Sequence, residues 1–172
     1  MKRAFIIIVS IWLLFSSFAL AEIVFLKKGA PSEVRVTVGA DTGVTTINYE
    51  VPAVVSGDGT PISGTPAGVR IQVSARRATA REMNQVYYIL TADSSIPLTN
   101  GVSTIPFTEI SWTAQDGDIP DGRFDGTSSQ IILGLTRARW QVSDFHTFTY
   151  DNTLALPAGV YTGTVTYTIS IP

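Results

Sequence analysis

The chain contains no cysteine and a single histidine in 172 residues. Without cysteine there is no disulfide, no thiolate ligand, no thiol nucleophile and no lipid-modified N-terminal cysteine. One histidine without cysteine also falls short of the several nitrogen and sulfur ligands that zinc takes. Positive charge is scarce: 12 Lys and Arg stand against 14 Asp and Glu, for a formal charge of −2. A nucleic-acid binder carries a basic excess or stripe, and this chain has neither. No Asn-x-Ser/Thr sequon is present. Beyond the N-terminus no apolar run is long enough to span a bilayer. Helical periodicity is nearly absent too; only Ala75–Met83 has helix propensity, and a segment that short predicts one helical turn or a loop.

The N-terminus has its own pattern. Met1-Lys2-Arg3 is followed by an apolar run from Ala4 to Phe18 and then by Ala19-Leu20-Ala21. A basic start, a short apolar core and a small-x-small site predict a secretory signal peptide over 1–21, cleaved before Glu22. The remainder, 22–172, is about 150 residues, the size of one domain. Cleavage removes Lys2 and Arg3, which leaves 10 basic residues against 14 acidic ones and a formal charge of −4. An exported domain without disulfides is held by its core alone, and about 150 residues suffice for that.

What the chain has in quantity is alternation. From Val160 to Ile171, Tyr161, Gly163, Val165, Tyr167, Ile169 and Ile171 fall on one parity, and Thr162, Thr164, Thr166, Thr168 and Ser170 on the other. Successive side chains of a strand point to opposite faces, so this reads as one long strand with an apolar and a hydroxyl face. Leu156-Pro157-Ala158-Gly159 is the turn that launches it. Val34, Val36 and Val38 alternate in the same way, as do Ile47, Tyr49 and Val51; with Gly39–Gly43 between them, the two runs predict a hairpin. Ser56–Gly68 reads as a surface loop, and Val69, Ile71 and Val73 as the next strand. Val86–Leu90 is apolar on both parities and predicts a strand covered on both faces. Ile105–Trp112 reads as a strand broken near Pro106, Ala114–Ser129 as a long polar loop, and Ile131–Leu135 as a short strand that Trp140 and Val142 extend. His146, Phe148 and Tyr150 share one parity of a further strand. Many short strands with turn signals and almost no helix predict an all-β antiparallel sandwich, immunoglobulin-like in topology, with a jelly roll as the alternative. A single domain is expected over 22–172.

Chemistry is harder to find. His146 lies in a strand, Asp144 shares its parity, and no serine sits in a nucleophile-elbow setting, so a structural histidine is expected rather than a general base. Asp116, Asp118, Asp121 and Asp125 crowd one Gly-rich loop. Calcium takes such hard oxygen ligands, but the spacing misses the EF-hand loop and a solvated acidic loop accounts for it. Glu50, Glu109 and the loop aspartates contain no identifiable pair for sugar hydrolysis. Arg76, Arg77 and Arg81 read as a solvated basic face. Trp112 or Trp140 would form a sugar platform if exposed, which keeps a secreted carbohydrate- or ligand-binding module as the alternative function; core packing is the competing expectation. No metal, cofactor or catalytic residue is assigned, and an enzyme is not expected.

The C-terminal stretch resembles that of chaperone–usher pilins and of the related spore-coat-U-like secreted domains. The resemblance rests on Gly159 ahead of the strand and on Tyr161, Val165, Tyr167 and Ile169 alternating along it. Ile171 departs from the penultimate tyrosine of the pilins, and the disulfide many of them carry is absent. The resemblance implies an exported, non-enzymatic surface or structural subunit with an immunoglobulin-like sandwich that lacks its last strand. It implies an assembly strand carrying Gly159, Tyr161, Val165, Tyr167, Ile169 and Ile171, completed by strand addition from a neighbour. The implied partners are other copies or pilin-like subunits, and a periplasmic chaperone that covers the open groove. The candidate donor is Glu22–Val38, with Ile23 and Phe25 or Val34, Val36 and Val38 as its plugs; the competing reading makes Val34–Val38 the first strand of a complete sandwich.

Overall fold

A computed structural model describes residues 32–40, 43, 45–77, 87–137 and 141–171. The expected signal peptide, the first ten residues after it, Arg81 and Trp140 lie outside the described residues, as does most of the expected helical turn; its first residues, Ala75 to Arg77, belong to a strand.

The described chain is all-β and antiparallel. Its strands are β1 (Ser32–Val38), β2 (Ile62–Arg77), β3 (Tyr87–Asp93), β4 (Leu98–Thr99), β5 (Thr104–Ile105), β6 (Ile110–Ala114), β7 (Gly122–Arg123), β8 (Gln130–Arg137), β9 (Gln141–Tyr150) and β10 (Thr166–Ser170). One sheet has the order β1-β2-β9-β6-β7, another the order β10-β3-β8, and β4 and β5 form a small hairpin. Both larger sheets feed one core: Val36, Val69, Ile71, Val73, Val142, Phe148 and Trp112 from the first meet Tyr88, Leu90, Ile132, Tyr167 and Ile169 from the second. That is the two-layer solution for sheets that each have one apolar face. No described helix is long and apolar enough to cross a membrane.

β9 shows why the pattern folds this way. Its odd residues are exposed or half-buried, while Val142, Asp144, His146, Phe148 and Tyr150 are all buried. The period-two alternation is thus realised over the whole strand, with two polar residues on the inward side.

Several expectations are corrected. β1 does not form a hairpin with Ile47–Val51. It pairs with the second half of β2, Val36 opposite Val73. The chain turns after β1 with Gly39 at φ 76, a conformation glycine adopts freely, and the amides of Gly39 and Ala40 both donate to the Arg70 carbonyl. Its described residues then run past the first half of β2, paired with it only through the Asn48–Thr65 bridge. Ile47, Tyr49 and Val51 nevertheless pack on the core. The expected loop Ser56–Gly68 is strand from Ile62 onward, with a register shift between Ser63 and Gly68. Its glycines serve close approach and not only turns: a Cβ on Gly64 would strike Ile47, and one on Gly68 the carbonyl of His146. The break at Pro106 is a 3-10 turn over Phe107–Glu109. The polar stretch Ala114–Ser129 contains β7 and buries Ile119 and Phe124, so it is partly core. β3 is not covered on both faces: Tyr88, Leu90 and Ala92 point inward, but Tyr87 is 43% exposed.

One polar residue ties the bottom of β9 to the 53–59 segment. Asn152 is buried, with φ 56. Its Oδ1 accepts from the Gly57 amide at 3.1 Å, its Nδ2 donates to the Val55 carbonyl, and its own carbonyl accepts from the Gly59 amide at 3.0 Å. Replacing it with alanine leaves Gly57 N–H and Val55 C=O without partners and places a Cβ residue in the left-handed region. Asn152→Ala is expected to cost about 2–3 kcal/mol in chemical denaturation, against well under about 1 kcal/mol for a substitution at the exposed Val54.

Candidate functional site

The C-terminal strand is shorter than its sequence pattern. The ladder runs from Thr166 to Ser170, antiparallel to β3, with Tyr167 opposite Ala92 and Ile169 opposite Leu90. Tyr167 is 7% exposed and Ile169 2%, so the apolar parity faces the core as expected. Val165 is half-buried and packs on the same core. The hydroxyl parity is half-buried rather than open: Thr166, Thr168 and Ser170 all keep partial cover, and Thr91 Oγ1 donates to the Thr168 carbonyl at 3.3 Å.

The first half of the expected strand does something else. Only Thr162 is paired there, with Thr99 at the mouth of the β4–β5 hairpin. Gly163 sits against Leu98 and Phe107, where an added Cβ would find atoms at 3.0–3.2 Å. The ladder itself begins at Thr166 because its partner Asp93 is the last residue of β3. Gly159 lies against the Asn100 side chain, Val160 is exposed, and Tyr161 is half-buried with its hydroxyl donating to the Pro157 carbonyl at 3.1 Å. Ile171, on the apolar parity, is 44% exposed just past the end of the strand. Of the six residues expected to form one assembly face, the structure sets Val165, Tyr167 and Ile169 toward the core and leaves Gly159, Tyr161 and Ile171 outside the ladder.

β10 has one ladder partner. Among the described residues, no strand pairs with the edge turned away from β3. β1 runs near β10, with several Cα atoms within 8 Å of it but no ladder between the two, and the Ile47–Val51 segment packs on the same core. Tyr49 reaches in from that segment to stand 6.1 Å from the Tyr150 ring. Burial pushes the hydroxyls of Tyr49 and Tyr167 well above the usual tyrosine range, and Tyr49 adds to the effect on Tyr167. Val34, Val36 and Val38, one half of the candidate donor, already belong to this molecule's own sheet. The other half, with Ile23 and Phe25, lies outside the described residues.

The remaining candidates separate clearly. Trp112 is core, not a platform: it is 4% exposed, stacks on His146 at 5.8 Å and donates from Nε1 to the Pro120 carbonyl at 2.9 Å. The acidic loop does not converge. Asp116 faces Arg70 at 3.7 Å, Asp121 accepts the Ala114 amide at 2.7 Å, and Asp125 accepts from the Thr127 amide and hydroxyl. No group of three metal-ligating side chains comes together among the described residues. Glu50 is exposed, and Glu109 accepts from the Thr153 hydroxyl at 2.6 Å. Arg76 and Arg77 lie at the end of β2 beside Glu33 and Ser32 of β1 in register.

Sequence reasoning missed Asp144 as an anchor. It is fully buried, its Oδ1 accepts the Asp116 amide at 2.9 Å and its Oδ2 the Ile119 amide at 3.0 Å. Burial works against its charge, yet the two amides, His146 and the Phe145 amide together hold its carboxyl below the usual range. The available signal was an acidic residue on the inward parity of a strand, where charge survives only when satisfied.

The ladder geometry gives a graded expectation. Ile169→Ala removes a side chain buried between the sheets and is expected to cost about 2–5 kcal/mol in denaturant unfolding. Thr168→Ala, one residue away on the outer parity, is expected to stay under about 1 kcal/mol; equal costs would mean that the strand is not oriented as described. No family model matches the chain, and searches of curated proteins and of solved structures return no match.

Proposed function

We propose that the protein is an exported, non-enzymatic structural or surface subunit that assembles by strand addition at the free edge of β10. The observation that carries this reading is β10 itself. Tyr167 and Ile169 are locked into the core, so the strand is rigidly held, while the backbone groups of its outer edge have no ladder partner among the described residues. A rigid strand with an unpaired row of N–H and C=O groups is a template for another strand. The signal-like N-terminus supports export; among the described residues the acidic loop gathers no metal-ligating group and Trp112 is buried in the core.

The donor in this reading is the segment at 22–31 of a second copy, with Ile23 and Phe25 as plugs. Ser32–Val38 pairs with β2 along its whole length, which favours the segment ahead of it as the donor. Backbone hydrogen bonds would supply most of the affinity and the two plugs the register.

The test compares two chains. The chain from Glu22 is expected to form concentration-dependent oligomers in light scattering. A chain beginning at Ser32 is expected to remain monomeric and to gain thermal stability from an added peptide of residues 22–31, by about 2.7 kcal/mol at a hundredfold excess over Kd. A monodisperse monomer from Glu22, together with a melting temperature indifferent to the peptide, contradicts the proposal.

A further inference from the structure

His146 is the sole histidine of the chain and is completely buried. Neither Nδ1 nor Nε2 has a partner in full hydrogen-bond geometry, although the Ile119 backbone lies near enough to favour a proton on the ring. Its ring lies 5.8 Å from Trp112 at 12° and 6.2 Å from Phe148 at 66°. Phenylalanine would fill that aromatic slot without leaving two buried nitrogens idle. What histidine adds is a ring that titrates near neutrality.

Beside it lies the segment that covers this part of β9. Gln115 donates to the Phe145 carbonyl, and Asp116 and Ile119 donate to the Asp144 carboxylate. Pro120 receives the Trp112 indole N–H, and Ile119 is fully buried. Two of the contacts that close the 115–121 loop thus end on one carboxylate, two residues from His146 on the same face.

We propose that His146 is an acid-release latch, whose protonation opens the 115–121 loop while the two sheets stay folded. An imidazolium cannot stay in that slot without an acceptor. The acceptors around it are Asp144, the Ile119 backbone and Asp121, and each oxygen of Asp144 already holds a loop amide with which the ring would compete. Either the carboxylate turns to the ring and drops Asp116 and Ile119, or the ring moves out toward Asp121 and displaces Ile119. Both routes release the loop and uncover Trp112 and Ile119.

The charged surroundings set the direction. From β9, His146 meets Asp144; from the loop, Asp121 and the Ile119 backbone; β6 contributes Trp112, and β2 sets Val69 opposite it, neither of which titrates. The other loop acids, Asp116 and Asp118, are exposed, and Asp116 faces Arg70. Burial pushes the imidazole below its usual range; Asp144, the Ile119 backbone and Asp121 pull upward and are outweighed. A histidine depressed in the closed state favours closure above its free value of 6.5, and that preference is lost as pH falls through the closed-state value. The carboxyl of Asp144 is itself held below its usual range by the Ile119 and Asp116 amides, against the effect of burial.

The test is amide exchange on the mature chain, corrected for the intrinsic pH dependence of exchange. The protection of Asp116 and Ile119 is expected to fall about tenfold per pH unit below 6.5, down to the closed-state value. Amides of β3 and β10 should hold over the same range, and His146→Phe should remove the pH dependence. The proposal is overturned if loop protection is flat with pH, if it falls together with β3 and β10, or if it still falls in His146→Phe. Should that variant not fold, the wild-type imidazole decides by NMR: its titration midpoint must coincide with that of the Asp116 and Ile119 amide shifts, and a different midpoint overturns the latch.

Discussion

The pairing of β2 with β9 is the constraint from which the rest of the molecule follows. The two strands run antiparallel from Ile62 opposite Tyr150 to Ser74 opposite Gln141, at the centre of the five-stranded sheet. β1 hangs on the free side of β2, β6 on the free side of β9, and β7 on β6. The register shift between Ser63 and Gly68 divides the free side of β2 in two. Its regular half takes β1 as a full ladder, and its bulged half is left to the Ile47–Val51 segment and one bridge. That division explains why two sequence runs of equal alternation, Val34–Val38 and Ile47–Val51, end in different states. A bulge bends one strand and interrupts its ladder, so only one of the two runs can pair at length.

The same ladder forces polar groups inward. β9 places Asp144 and His146 on its core face, and Asn152 follows at its exit. Asp144 and Asn152 are satisfied by backbone amides from distant segments, which makes each a tie between the sheet and a loop. His146 is the exception. A sandwich of this size without disulfides has every reason to avoid an idle buried donor and acceptor, and the stacked ring of Trp112 offers packing but no acceptor.

Much of the architecture was legible because strand alternation is a local signal. The inward parity of Tyr167 and Ile169, of Val69, Ile71 and Val73, and of Phe148 and Tyr150 could be read directly, and with it the antiparallel two-sheet fold. Pairing was not legible, since alternation says which face is apolar and not which neighbour it meets. β1 could be expected beside Ile47–Val51 only because the two are adjacent in sequence. Glycine also misled: Gly64 and Gly68 read as loop punctuation, whereas both let another chain segment approach a strand closely. The length of the last strand was over-read for a related reason. The parity runs on through Gly163 and Tyr161, but β3 ends at Asp93 opposite Thr166 and offers no longer ladder. Of the candidate site, the buried side chains could be inferred, and the unpaired edge could not, because an edge is defined by what is missing beside it.

β10 combines two properties that rarely stay together in a free molecule: a core-locked side and an unpaired backbone side. Strand edges of that kind are usually shortened, charged or covered; here the strand is short, its residues are uncharged, and β1 runs near it without pairing. Residue-by-residue amide exchange across Thr166–Ser170 in the monomer tests this most directly. In an antiparallel ladder with one open side, amides aimed at β3 are protected and those aimed away exchange freely, so protection should alternate along the strand. Uniform protection of every β10 amide in the monomer, or uniform lack of it, would contradict the account.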